Sequence, residues 1–150
     1  MTFIAFGMIA KFYIYPWLKR LPYVETLTVL CFFQSFRSLG LSYLVPGVLN
    51  GPIPAAYAVQ TSAGDLATAV LAILAIIFLK NNWRGAVSLV WLTTIVGILD
   101  LANSYYLGIS LQGWNYSVGV MWFFAVLVTP IIIVAHFMTV KFLLKSSRES

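Results

Sequence analysis

The chain has 150 residues, 61% of them hydrophobic and only 9% charged, against about 25% charged residues in soluble globular domains; a water-soluble fold is excluded. The formal net charge of +5 comes from short basic clusters between apolar blocks, with no extended basic face or interleaved aromatic platform, so nucleic acid is not an expected partner. The single cysteine, Cys31, rules out an internal disulfide and a cysteine metal cluster.

The apolar residues fall in blocks of roughly 20, the length that crosses a bilayer. They predict an all-α integral membrane protein, a single domain built as a bundle of five transmembrane helices, or alternatively four. The first block, residues 2–18, carries Lys11 near its middle and Pro16 near its end, so it either spans at a tilt or lies along the inner surface. It lacks a basic leader and a small-x-small cleavage site and reads as a retained helix rather than a signal peptide.

The second block, residues 22–45, opens at Pro22 with Glu25 in its first turn, where a carboxylate suits the positive end of the helix dipole. Within it, Gln34, Arg37, Ser38 and Ser42 follow i, i+3, i+4 and i+8 spacing and are expected on one α-helical face. The uncharged, Gly- and Pro-rich stretch from Val45 to Thr61 is too apolar to float in water. It is expected to lie in the interface or fold over the outer mouth of the bundle.

The third block, residues 62–80, is led by Thr61, Asp65, Thr68 and Ala72 in a helical stripe. Ser62-Ala63-Gly64-Asp65 also has the S-x-x-D form of a helix start, which leaves Asp65 two readings, capping carboxylate or buried partner. The fourth block, residues 86–107, holds the narrow stripe Thr93, Gly97, Asp100 and Ser104, with Asn103 as a further polar candidate. Small and hydroxyl residues of this kind let membrane helices approach and exchange hydrogen bonds. The fifth block, residues 117–141, contains Pro130, expected to kink it, and His136, the one histidine.

Orientation follows from the basic residues. Lys19, Arg20, Lys80, Arg84, Lys141, Lys145 and Arg148 fall on one side of a five-span chain, while the other two loops carry no charge. The positive-inside rule then predicts the N-terminus out, and the basic loops and C-terminus in the cytoplasm, in a plasma (inner) membrane.

A lone arginine at mid-bilayer costs about 2.5 to 3.5 kcal/mol even on the lenient insertion scale, so Arg37 needs partners. At about 1.5 Å per residue, Arg37 lies roughly 12 Å, Asp100 roughly 10 Å and Asp65 roughly 5 Å below the outer ends of their blocks. Asp100 is the first expected partner and Asp65 the second. With Gln34 and Asn103 they form the candidate ligand- or ion-binding set, Arg37 receiving an anion or tuning the carboxylates and Asp100 protonatable or facing a cation.

Glu25 and His136, placed toward the inner side, are candidates for a proton relay. His136 is expected too deep to reach Asp100, which argues against Ser-His-Asp chemistry. The chain has no G-x-S-x-G, H-E-x-x-H, C-x-x-C, phosphate loop or dinucleotide fingerprint, so neither an enzyme nor a metal or cofactor is expected. The expected partners are the lipid bilayer and a small solute or ion. The competing reading is a non-catalytic accessory or structural subunit, in a homo- or hetero-oligomer, whose buried ion pair only fixes helix packing.

Overall fold

A computed structural model describes residues 1–48, 54–116 and 119–149, with side chains described through residue 145. Residues 49–53 of the predicted mouth loop, and residues 117 and 118 of the fifth predicted block, lie outside the described residues. Every regular element among those described is helical.

Helix α1, Thr2–Leu18, contains a wide i→i+5 turn at Ala10–Ile14. It ends at Lys19, and Pro22 closes the short link that follows: proline has no N–H to donate to a continuing helix, and at the start of the next one none is missed. Helix α2, Tyr23–Ser35, runs on into a tighter 3-10 segment, Phe36–Leu44. Helix α3 is Ala55–Lys80 and α4 is Ala86–Ser110. A short 3-10 turn at Gly113–Asn115 leads toward α5, residues 121–149, which has its own i→i+5 turn at Phe124–Val128. By length and composition, Ala55–Lys80, Ala86–Ser110 and Met121–Lys145 are long and apolar enough to cross a membrane.

The α3–α4 hairpin is set by local chemistry. The Trp83 N–H donates to the Phe78 carbonyl at 3.0 Å and the Asn82 N–H to the Leu79 carbonyl at 3.2 Å, the paired bonds that end a helix with a left-handed residue. Asn82, at φ 53, takes that position, which asparagine tolerates better than most residues. The Trp83 ring meets Phe78 edge-on at 5.0 Å, adding the apolar contact that accompanies this stop. Gly85, at φ 87, then opens α4.

Burial separates the two kinds of surface in the sense expected for lipid. The inward residues of α3 and α4 are small or polar, among them Thr61, Asp65, Thr68, Ala72, Thr93 and Gly97, and their size permits close approach. Outward positions such as Leu66, Ile73, Leu92, Ile95 and Leu99 are exposed. Buried threonine hydroxyls need no distant partner: Thr68, Thr93, Thr94 and Thr139 each donate to the carbonyl four residues back, a habit of helical threonine. One apolar cluster, including Leu18, Leu27, Leu79, Val90 and Leu143, fills the end of the bundle where α1 meets α2. A smaller one of Tyr43, Ala58 and Met121 fills the other. The charged layer lies between them.

Three expectations change. Helix α3 starts at Ala55 rather than residue 62, so Ser62 is no cap; it is interior, and its hydroxyl donates to the Gly40 carbonyl at 3.1 Å. Asp65 accordingly sits well inside its helix rather than in the first turn. The second block is not one α-helix: in its 3-10 half a residue recurs on the same face every third position. Gln34, Arg37, Gly40 and Tyr43 are therefore the buried ones, while Ser38 is exposed and Ser42 half-buried. Finally, α4 continues to Ser110 and α5 past residue 141.

Candidate functional site

The 3-10 register turns Arg37 inward, where it is only 1% exposed. Its Nε–H donates to Asp65 Oδ1 at 2.7 Å, one Nη donates to the Gly97 carbonyl at 2.9 Å, and the other donates to the Asp100 carboxylate. The guanidinium thus joins three elements, and its rigid fork suits simultaneous carboxylate and carbonyl acceptors better than a lysine point charge would. Asp65 and Asp100 are themselves buried. With both ionised, the cluster carries one positive and two negative charges.

Close approach is made possible by glycine. A Cβ on Gly40 would overlap the Asp65 carboxylate, one on Gly64 the Asp100 carboxylate, and one on Gly97 the His136 imidazole. Each missing Cβ makes room for a polar side chain of a neighbouring helix. Gly40 and Gly64 belong to the site, and sequence reasoning missed both. The signal was present: each charge of the cluster has a glycine within one turn, at Gly40 after Arg37, Gly64 beside Asp65 and Gly97 before Asp100.

On one side of the arginine lies a cavity of about 180 Å³, with Arg37 and Asp65 in its wall together with Tyr43, Tyr57, Thr61 and Ser104. The Tyr43 ring meets Tyr57 and Phe124 edge-on, at 6.0 and 6.4 Å. The Ser104 and Thr61 hydroxyls approach to 3.4 Å. Asp100 does not line this space, whereas Asp65 does.

At Gly97, whose carbonyl Arg37 engages, the imidazole of His136 fills the notch beside Thr68. It is 3% exposed, as is Gln34 one turn before Arg37, and among the described residues neither ring nitrogen of the histidine nor either amide atom of the glutamine has a hydrogen-bond partner. This corrects the depth expected for His136, which packs against the residue one turn before Asp100. The i→i+5 turn at Phe124–Val128 takes up an extra residue without lengthening α5 in proportion, which a count of residues does not register.

The remaining candidates fall elsewhere. Asn103 is exposed on α4 and does not line the cavity. Glu25 is bound by Lys80 at 2.7 and 2.8 Å, with both side chains more than two-fifths exposed. Among the described residues no three His, Cys, Asp or Glu side chains converge as metal ligands would.

Residues 1–144 match the model of a family described as a domain of unknown function, DUF8737, and the chain belongs to that family. No curated protein and no solved structure matches it.

Proposed function

We propose that this member of the DUF8737 family is a multi-pass membrane protein whose Arg37–Asp65–Asp100 cluster forms an intramembrane binding or permeation site for a small cation. The observation that carries the reading is the commitment of Arg37: all three of its nitrogens are engaged by Asp65, Gly97 and Asp100. Three of its five N–H donors are thereby committed to two carboxylates and a carbonyl, acceptors that an incoming anion would have to crowd or displace. Two carboxylates against one guanidinium leave a surplus negative charge in a buried place, and a buried net charge is costly unless a proton or a cation offsets it. Asp65 presents that charge to the cavity.

The volume sets a size limit. A cavity of about 150 Å³ admits benzene, so about 180 Å³ suits a partly hydrated inorganic cation or a small alkylammonium. Tyr43 and Tyr57 line the same space, and aromatic rings attract cations. His136 and Gln34 remain candidates for moving a proton toward the cluster, since buried polar atoms almost always find a partner and theirs is not among the described residues. Glu25 is not part of that route, being tied to Lys80 at the surface.

Five spans, with the N-terminus outside and the C-terminus cytoplasmic in a plasma (inner) membrane, are the topology proposed with this site. The 13 residues of α2 and the 9 of its 3-10 extension reach about 38 Å at about 1.5 and 2.0 Å per residue, enough for a hydrocarbon core of about 30 Å. Lys19, Lys80 and Lys141 adjoin Leu18, Leu79 and Phe142 of a single apolar cluster, so the basic residues gather at one end, as the positive-inside rule requires. In the four-span alternative α1 lies on the inner surface, and Lys11, exposed with its ammonium 5.5 Å from the Phe12 ring, favours that arrangement.

The test is thermal unfolding of the purified protein in titrations of alkali and alkylammonium chlorides, compared with sodium salts of varied anions. A cation-specific rise in Tm that is lost in Asp65→Asn supports the reading; a response that tracks the anion, or none, overturns it. The second reading, an accessory subunit with a purely structural ion pair, draws on the same three contacts of Arg37. It expects Asp65→Asn to change stability without changing any cation response.

A further inference from the structure

A second cavity adjoins the one that Asp65 faces. It is a groove of about 410 Å³ between α4 and α5, with Ile98, Leu101 and Tyr105 on one side and Ile133, His136 and Phe137 on the other. Leu101 and Tyr105, one helical turn apart, line the first cavity as well. On α5 the two spaces take successive residues, Ile132 the first and Ile133 the second.

The two compartments are opposite in character. Arg37 and Asp65 stand in the wall of one, whereas among the described residues no Asp, Glu, Lys or Arg lines the other. The one imidazole of the groove, His136, keeps a ring edge in the notch at Gly97. Ile98 and Phe137 are exposed, at 43% and 70%, so the groove opens on the apolar outer faces of α4 and α5.

We propose that the cation is a primary amine with an apolar tail, its ammonium head in the Asp65 cavity and its tail in the α4–α5 groove. The inference rests on the cation reading of the cluster and names the substrate class. A primary ammonium has three N–H donors and no acceptor; the Asp65 carboxylate and the Thr61 and Ser104 hydroxyls, all in the first wall, offer acceptors for them. The groove, at about 410 Å³, is well over twice the cavity of about 150 Å³ that admits benzene, which is room for a short alkyl chain. An inorganic ion would use the carboxylate and leave this adjoining apolar space empty. Because the groove opens on the outer faces, an amphiphilic amine reaches Asp65 from the bilayer side.

The test is Tm of the full chain in an uncharged detergent, titrated with potassium, methylammonium, butylammonium and hexylammonium chlorides at matched free concentration. Hexan-1-ol and sodium hexanoate carry the same tail without the positive head. Apparent affinity is expected to rise from methylammonium to hexylammonium by about four-fold for each methylene that enters the groove, with no response to the alcohol or the acid. Ile133→Trp, which fills the groove, should abolish the gain with chain length and keep the methylammonium response; Asp65→Asn should abolish both. If Ile133→Trp does not fold, Ile98→Trp at the exposed rim makes the same comparison. Equal affinity for methylammonium and hexylammonium, a gain that survives in the tryptophan variant, or an equal response to hexan-1-ol overturns the tail site and leaves the cation reading standing. So does a response to potassium with none to any ammonium salt. No response to any of the four cations overturns the cation reading, and this inference with it.

Discussion

Two ion pairs cross the same α2–α3 interface with the same 2.7 Å separation, Arg37–Asp65 and Lys80–Glu25. The first is almost completely enclosed, with side chains 2% and 5% exposed; the second is open, at 49% and 43%. Distance therefore says little about what either contributes. In the open pair water competes for both charges and salt screens them, so the attraction is small. In the enclosed cluster each charge has already lost its water, and removing one partner leaves the others with neither solvent nor counter-charge.

The sharpest way to break the comparison is Arg37→Gln, which strands two buried carboxylates. It is expected to cost about 3 to 5 kcal/mol, read as a large fall in Tm or failure to accumulate. Neutralising Asp65 and Asp100 to asparagine in the same chain should recover part of that loss, because the penalty belongs to the unpaired charges. A full recovery would also remove the charge-based reason for the cation site.

Gly64→Ala comes next. Its methyl group would occupy the place of the Asp100 carboxylate, and overpacking of this kind costs about 1 to 3 kcal/mol; Gly85→Ser, in the hairpin, tests backbone strain instead, because Gly85 has φ 87 with open space around its Cβ position. Thermal unfolding of both variants in one detergent compares them. Asp65→Asn should be milder, about 1 kcal/mol, since Arg37 keeps Asp100 and Gly97; its signature is loss of the cation response rather than loss of fold. Smallest of all, Glu25→Gln should shift stability by less than about 1 kcal/mol, and the shift should vanish at high salt. An Asp65→Asn effect that vanished equally in salt would mean that water reaches the cluster.

Much of the polar layer was legible from spacing. Thr61, Asp65, Thr68 and Ala72 on α3, and Thr93, Gly97 and Asp100 on α4, are buried, because both helices keep the 3.6-residue period on which the reading relied. The same assumption misassigned α2. There Phe36–Leu44 winds as a 3-10 helix, and a three-residue period exchanges Ser38 and Ser42 for Gly40 and Tyr43. Asn103, four residues from Leu99 on the exposed face of α4, shows a limit of another kind: polarity marks a residue as a candidate, and only helical phase decides which way it points.

The sequence by itself determined that this chain is an all-helical bundle with apolar outer faces, that its few acidic and basic residues need partners, and that Arg37 would seek aspartates. These follow from composition and period, which are local properties. Only the tertiary structure decided that Arg37 takes both Asp65 and Asp100 at once, that Gly40, Gly64 and Gly97 make room for them and for His136, and that Leu101 and Tyr105 border two cavities. Each depends on helix phase, on where a helix departs from α geometry, and on how closely two backbones approach. Those quantities are set when several helices pack together, since a missing Cβ on one is defined only by the side chain that a neighbour places there.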